Sequence, residues 1–385
     1  MSYLPIIIIS ILLIIFVNVL LVFIRDKKYM KPFKTYIDPD HLTQEDLNEI
    51  PLVNIIVPAW KEDELFRQCL SSILKLNYPN IKVIVNAGGS EETIKIANSF
   101  RKYRNFQIIY QEQGGGKIRA INDCLKYISD GIIYMVDADV YFTEEVLIQL
   151  LFPLTNLNEK VTTNGHRPLK HQENKDFVKY LFLNRNLSFR KEFSRYMVGV
   201  SGANTCMTFE VLQEIGKFTE DRLTPEDLSR GIDIESKGIR TYHLIHSRSL
   251  IHADVPDSIR GFFKQRIRWL QNKLIFSRQS KNYKVLLSSI LLFLSSLYLL
   301  ILPLLIFTHI WLVLLGLYIL LNKYLLRIRR ILFLKKTRPE MEVKLKFLFY
   351  FKIFFYIFIE LIVNVYMILE IIFSRKKFKL RRNLS

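Results

Sequence analysis

The sequence predicts an α/β domain on a mostly parallel, doubly wound sheet, held between N-terminal and C-terminal transmembrane helices. Three observations carry this. From Pro51 onward, short β-prone runs alternate with helical stretches. Uncharged apolar runs of membrane-spanning length lie near both ends. The fourth strand-like run, Ile132–Val136, stops abruptly at Asp137-Ala138-Asp139, and open α/β sheets bind their ligands at the carboxyl ends of such strands.

Taken in order, Leu4–Ile24 is apolar and closes on Arg25-Asp26-Lys27-Lys28. The positive charge follows the apolar run, and no small-residue cleavage site appears, so a signal anchor is expected rather than a cleaved signal peptide. Positive-inside logic then places residue 25 onward in the cytoplasm. Residues 29–50 are polar and read as a linker. Strands are expected at Val53–Val57, Ile81–Val85, Phe106–Tyr110 and Ile132–Val136, with helices at Leu65–Leu74, Thr93–Phe100 and Lys117–Tyr127 between them. The next region is less regular. It contains the small-residue stretch Val198–Ala203, Thr224-Pro225-Glu226-Asp227 and a helix over Leu228–Ser236.

Phe262–Phe276 is basic, aromatic and amphipathic, as suits a helix lying at a membrane interface. Hydrophobicity returns over Val285–Leu321, with a break offered at Pro303 or Thr308-His309, and again over Phe347–Phe373. One further crossing there would place the basic tail Arg375–Arg382 outside, against the positive-inside rule. Either the last segment is interfacial or the long run crosses once; the sequence leaves both open. Polar residues within these segments fit a polar path or pairing inside the bundle.

The formal charge is +19, from 55 Lys and Arg against 36 Asp and Glu. Much of that excess flanks the membrane segments, so anionic lipid is a simpler partner than nucleic acid. Three scattered cysteines, Cys69, Cys124 and Cys206, give no metal spacing and no disulfide framework. Gly114-Gly115-Gly116-Lys117 is not a Walker loop, because Gln111 replaces its first glycine and Ile118 its Ser or Thr. No G-x-G-x-x-G follows a strand, so a dinucleotide fold has no support. Lys117 and Arg119 remain as cations able to meet a diphosphate. Asp137 and Asp139 can share a hard divalent cation, Mg²⁺ or Mn²⁺, completed by phosphate oxygens. The competing reading is a turn with two solvated acids. For Glu226-Asp227 it is a helix N-terminus favoured by the dipole.

Asp137-Ala138-Asp139, Glu226-Asp227 and Gln265-Arg266-x-Arg268-Trp269, in this order and with these flanking helices, resemble the membrane-embedded family 2 inverting glycosyltransferases. That group includes cellulose, hyaluronan and poly-N-acetylglucosamine synthases and the ceramide glucosyltransferases. The resemblance covers about Val53–Asn272. It implies a GT-A type nucleotide-sugar-binding domain over 51–256, after a 1–28 anchor and a 29–50 linker. An interfacial segment (257–284), a transmembrane region (285–374) and a basic tail (375–385) would follow.

It further implies that Pro58-Ala59-Trp60-Lys61-Glu62 opens the nucleotide site, with Pro58 and Glu62 on the donor. Gly116-Lys117 to Asn122 would lie beside the donor, and Asp137 and Asp139 would hold the metal and, through it, the diphosphate. Gly165-His166-Arg167 would form a sugar-side loop. Gly202, Glu226, Gln265 and Trp269 would meet the acceptor. Asp227 would be the general base, and Arg266 and Arg268 would bind the diphosphate. Where the family usually carries an Asp at the end of the second strand, this chain has Ala87, so the nucleoside contact would come from elsewhere, Asn86 being one source. The implied donor is a UDP-linked sugar and the acceptor a glycan, extended processively, or a lipid. A catalytically inactive carbohydrate-binding subunit is the reading of another class.

Overall fold

The structure, a computed structural model, describes residues 4–35, 39–111, 115–188, 196–197, 200–220, 226–244, 246–279, 283–305, 310–337 and 343–373. Gly114, Val198, Gly199, Thr224, Pro225, Thr308, His309 and the basic tail lie outside these residues. The chain forms two compact units. One comprises Tyr36–Glu173 and Ser194–Val255, the other Met1–Thr35, Asn174–Phe193 and Pro256–Ser385.

The first unit holds all the described strands: β1 (Val53–Trp60), β2 (Ile81–Gly88), β3 (Phe106–Tyr110), β4 (Ile132–Val136), β5 (Val140–Tyr141), β6 (Val161–Thr163), β7 (His166–Pro168), β8 (Tyr196–Met197), β9 (Asn204–Thr208), β10 (Thr241–His243) and β11 (Ile251–Ala253). Eight form one sheet in the order β3-β2-β1-β4-β9-β6-β10-β8, and three form a small sheet, β5-β11-β7. The β3-β2-β1-β4 half is parallel, while β9 runs antiparallel to both β4 and β6.

Alternation along β1 explains the layering. Ile55 and Val57 face a core filled by the helices Glu64–Leu74, Glu91–Ser99 and Glu144–Asn156. Ile56 faces the opposite core, filled by the helices Gly116–Leu125, Phe209–Ile215 and Glu226–Ser236. Each fully buried Ile or Leu contributes roughly 1.5–3 kcal/mol. Helices on both faces of a mostly parallel sheet are the arrangement expected from the sequence.

Two strands outrun their expected ends. β1 continues through Pro58 to Trp60, and β2 to Gly88. Proline usually ends a ladder, but β4 pairs with β1 only over Val53–Ile56, and beyond that β1 pairs with β2 alone. Pro58 therefore sits where one side of the strand has no ladder to lose. Within the polar stretch before Pro51, residues 39–50 pack onto the Glu144–Asn156 helix through side chains. Gln44 Nε2 donates to Glu144 Oε1 at 2.6 Å, Asn156 Nδ2 to the Asp46 carbonyl at 2.9 Å, and Gln149 Nε2 to the Pro39 carbonyl at 3.0 Å. The three cysteines are free and buried.

The second unit is helical: Leu4–Thr35, Asp176–Ser188, Ile259–Gln279, Tyr283–Leu300, Leu302–Leu305, Ile310–Thr337 and Phe347–Phe373. The long apolar run does break around Pro303. Among the described residues, three helices are long and apolar enough to cross a membrane, over Ile8–Arg25, Ile310–Lys335 and Phe347–Glu370, while Leu287–Leu300 is shorter. Several polar residues inside them are paired, while the Asn18 side chain is buried with no hydrogen-bond partner among the described residues. Glu360 accepts from Asn184 Nδ2 at 2.7 Å and from Arg327 at 3.4 Å, Asn364 Nδ2 donates to Ser296 Oγ at 3.2 Å, and Lys352 pairs with Asp176. Pairing is the arrangement polar side chains in such helices need when water is remote.

Candidate active site at the strand ends

β4 is a five-residue buried run, and the chain turns at Ala138 and Asp139 before β5. This leaves both carboxylates at the carboxyl edge of the sheet, half-buried. Two helices of one face bring the rest. Gly116 opens the helix that carries Lys117 in its first turn, and Glu226 and Asp227 open the Glu226–Ser236 helix. Lys117 Nζ donates to Asp137 Oδ1 and, at 2.8 Å, to Glu226 Oε1. One ammonium thus ties the strand-end pair to the helix-end pair.

Gly202 lies against the second pair. A Cβ placed there would come within 3.2 Å of Glu226 Oε1 and 3.6 Å of Asp227 Cβ, so the absence of a side chain lets backbone and carboxylates share this space. Asp227 Oδ1 accepts from the Leu228 amide at 2.8 Å.

The shared lysine divides the carboxylates electrostatically. Burial opposes the charge on Lys117, but Asp137 and Glu226 outweigh it and hold its pKa above the ordinary value. Burial likewise opposes ionisation of Glu226, yet Lys117, with Arg230 behind it, brings that carboxyl down to about 2. For Asp227 the balance goes the other way: burial, then the charge on Glu226, pushes it up and outweighs the Leu228 amide, Arg230 and Lys117. Asp139 is raised by burial and then by Asp137. Glu62 is raised to about 7 by burial and by Asp139 and Asp137, so its carboxyl belongs to the strand-end cluster. Its backbone is clamped at both ends by Thr93, whose Oγ1 accepts from the Glu62 amide at 2.7 Å and donates to the Glu62 carbonyl at 2.9 Å.

This donor set fits a hard divalent cation. It is all oxygen, and the repulsion that raises Asp139 and Glu62 is what a cation relieves. Among the described residues no three His, Cys, Asp or Glu side chains gather closely enough to hold a metal by themselves. A two-carboxylate site completed by phosphate oxygens has that character.

The nucleoside edge lies at the ends of β1, β2 and β3. Pro58 is buried in the ladder opposite Asn86. Asn86 is fully buried too; its Nδ2 donates to the Ala120 carbonyl at 3.1 Å, while among the described residues its Oδ1 has no hydrogen-bond partner. Ala87 packs into the apolar core, where a carboxylate would be buried among hydrocarbon. Gly88 is the position that opens here, with a Cβ falling 2.9 Å from both the Trp60 ring and the Gln111 carbonyl. The next residue, Gly89, has φ +82°, and a Cβ there would meet the indole at 2.7 Å. Trp60 and Gln111 therefore occupy the space that a polar side chain at the end of β2 would fill.

On the sugar side, His166 and Arg167 lie in β7 of the small sheet, with Arg167 paired to Glu173 at 3.1 Å. The antiparallel register of β11 on β5 sets Ala253 opposite Val140. Asp254 follows Ala253 just as Asp139 precedes Val140, and Gln172 Nε2 holds Asp254 Oδ1 at 2.6 Å.

In the helical unit, Gln265, Arg266, Arg268 and Trp269 share the Ile259–Gln279 helix. Arg266 lies over Phe262 at 4.8 Å and over Trp269 at 5.0 Å. Arg268, two residues on and so about 200° around the helix, lines a groove with Gly261, Lys264, Gln265, Gln271 and Glu370. The two arginines are thus not brought to one face. Trp269 is 36% exposed.

Sequence reasoning missed Arg230 and Asp254. The signal for Arg230 was its spacing, three residues after Asp227 and four after Glu226, which is one helical turn.

Carboxylates at the strand ends, a cation between them and acids opening a neighbouring helix define a domain of the GT-A class, with a mostly parallel sheet. The chain belongs to glycosyltransferase family 2: the family model described as "Glycosyltransferase like family 2" matches residues 51–272. A poly-β-1,6-N-acetyl-D-glucosamine synthase of Staphylococcus epidermidis is 23% identical over 247 residues, 63% of this chain and 58% of that protein. The synthase of the same name from Staphylococcus aureus (strain COL) is 20% identical over 231 residues, 59% of this chain and 55% of its own length. The chain therefore spans less than two thirds of these relatives. A mannosyltransferase from Pyrobaculum calidifontis, solved in complex with GDP-Man and Mn²⁺, superposes over 95% of this chain and 98% of its own with a TM-score of 0.55 at 16% identity.

Proposed function

We propose that this protein is an inverting, metal-dependent glycosyltransferase. It moves a sugar from a nucleotide sugar, UDP-linked, to a growing polysaccharide at the cytoplasmic face of a membrane. The observation that carries this reading is Lys117, which pairs at once with Asp137 and Glu226 and so joins a candidate diphosphate anchor to a candidate base. Asp137 and Asp139 would hold Mg²⁺ or Mn²⁺, which when bound supplies positive charge to the departing diphosphate.

The chain's own residues divide the remaining work. Asp227 takes the proton from the acceptor hydroxyl as that oxygen attacks the anomeric carbon, with inversion there. The raised proton affinity of Asp227 suits a group that must accept a proton. Glu226, held ionised by Lys117, orients the acceptor beside it. Of Arg266 and Arg268, which lie on different faces of their helix, one would serve the diphosphate, and Gln265 and Trp269 would serve the acceptor, Trp269 through its exposed ring. The names of the matching relatives support a polysaccharide over a lipid acceptor. The basic cluster after the first apolar helix supports a cytoplasmic catalytic unit.

The test is one assay. Membranes carrying the protein are incubated with radiolabelled nucleotide sugars and Mn²⁺ or Mg²⁺, and products are sorted by length and by solvent extraction. Long products from a UDP-sugar, abolished by chelation, are expected. Single-sugar, solvent-extractable products alone would overturn the polysaccharide assignment.

A further inference from the structure

Among the described residues, the Arg230 side chain is the largest that is fully buried. A guanidinium stays charged in proteins, so burying one is costly unless it does structural or electrostatic work. Its contacts reach three elements of the site. Nη2 donates to the Gly202 carbonyl at 3.1 Å, Nε to the Glu226 carbonyl at 3.3 Å, and Nη1 lies 3.0 Å from Met135 Sδ, two residues before Asp137 on β4. None of these three contact atoms carries a formal charge. The compensating charge lies one helical turn back, on Glu226 and Asp227, both of which feel the guanidinium.

We infer that Arg230 is a positioning residue for transfer. It fixes the Gly202 backbone and the first turn of the Glu226–Ser236 helix against β4, and it stands as the fixed cation behind Asp227. This rests on Asp227 being the base. The geometry favours it over a merely structural role, because a planar fork with donors pointing three ways registers three separate chain segments at once. An apolar side chain would fill the volume and hold none of them.

The charged groups facing Asp227 are Glu226 and Arg230 from its own helix and Lys117 from the Gly116–Leu125 helix. Removing Arg230 leaves Lys117, already engaged by Asp137 and Glu226, as the only cation of that set. Asp227 would then hold its proton to higher pH, and the acid limb of the rate profile would move upward.

The experiment uses the full chain in detergent or nanodiscs, with Arg230→Met, Arg230→Lys and Asp227→Asn beside the parent. It reads kcat against pH at saturating donor, UDP affinity by calorimetry in the presence of Mn²⁺, and thermal unfolding. In Arg230→Met, kcat is expected to fall on the order of 10²-fold, as misplacement of a reacting group does. Its acid limb should shift up by about one pH unit, the effect of losing a nearby opposite charge. UDP affinity should stay within a factor of about two to three, since none of the three residues Arg230 touches is assigned to the donor. Arg230→Lys, which keeps the charge but not the fork, should keep the parent acid limb while recovering only part of the rate. Should the Met variant fail to accumulate folded, the Lys variant still decides: a parent-like rate overturns the positioning role. An unshifted acid limb in Arg230→Met overturns the electrostatic role. Full activity in Asp227→Asn refutes the base assignment itself, whatever Arg230 does.

Discussion

Two pairs of carboxylates stand at the catalytic end of this domain, and they differ in how they were made. Asp137 and Asp139 end a buried strand, where alternation stops and the chain turns. Glu226 and Asp227 open a helix, where the dipole favours acids. They share one cation, which sorts them the same way. Lys117 takes one member of each pair, Asp137 and Glu226, and leaves Asp139 and Asp227 with raised proton affinity. This fits the division of labour proposed above, in which the members bonded to Lys117 would fix geometry and the other two would be available, Asp139 to a metal and Asp227 to a proton.

The sharpest way to break this comparison is to remove Asp227 and Asp139 one at a time. Asp227→Asn is expected to lower kcat by about 10²–10⁴-fold while UDP and Mn²⁺ binding persist. Asp139→Asn should instead weaken Mn²⁺ binding by more than about tenfold, followed by electron paramagnetic resonance of free Mn²⁺, and lose rate in consequence. If both variants lose metal, the two pairs do not have separate roles.

Next in size is Lys117→Met. Removing the shared cation strips both Asp137 and Glu226 of compensation. The expected loss in kcat/KM is on the order of 10²-fold, with Glu226 no longer titrating near 2. The titration is read by carboxyl-selective infrared difference spectra, and a loss confined to acceptor KM would show that Lys117 serves only one pair.

The pH profile sharpens the comparison further. As the proposed base, Asp227 would act only when ionised, and burial with Glu226 raises its pKa above 3.8. Rate is therefore lost as pH falls, with an acid limb higher than an ordinary aspartate would give and absent from what remains in Asp227→Asn. Smallest is Gly202→Ala. A methyl group 3.2 Å from Glu226 Oε1 pushes the flexible end of one side chain, so a several-fold rise in acceptor KM is expected with thermal stability lowered by roughly 1 kcal/mol or less.

Legibility in the sequence follows the same divide. The β3-β2-β1-β4 half could be read directly because Ile55–Val57, Val83–Val85 and Ile132–Val136 are buried on both faces and so carry unbroken apolar runs. The other half could not. β6, β7, β10 and β11 have three residues each, too few for a period to show. They are held partly by buried polar side chains: Asn204 Nδ2 donates to the Gly165 and Ser249 carbonyls at 3.1 and 2.8 Å, and Asn164 Nδ2 to the His246 carbonyl at 2.9 Å. Residues 39–50 read as a linker because only Leu42 and Leu47 reach the apolar core and the rest of the docking is by hydrogen bonds.

The site shows the same limit. Asp137, Asp139 and Asp227 stand in motifs, and Lys117 begins a helix at a glycine. The sharing of Lys117 between residues 20 and 109 positions away has no local trace in the sequence. Arg230 reads as an ordinary cation on an amphipathic helix, whereas its helix faces the core over Ser229, Arg230 and Gly231.

The Asp176–Ser188 helix has a practical consequence for anyone wishing to handle the catalytic domain in water. Between β7 and β8 the chain leaves the first unit and contributes this helix to the second, where Asp176 pairs with Lys352, Phe177 meets Phe262 at 5.5 Å and Tyr180 meets Tyr356 at 5.0 Å. A fragment cut at residues 51 and 256 keeps the helix and discards everything it packs on. Val178, Tyr180 and Leu183, now buried, would be laid bare as an adhesive stripe. A soluble fragment therefore needs a third edit in the middle of its own sequence, one that removes residues 174–193.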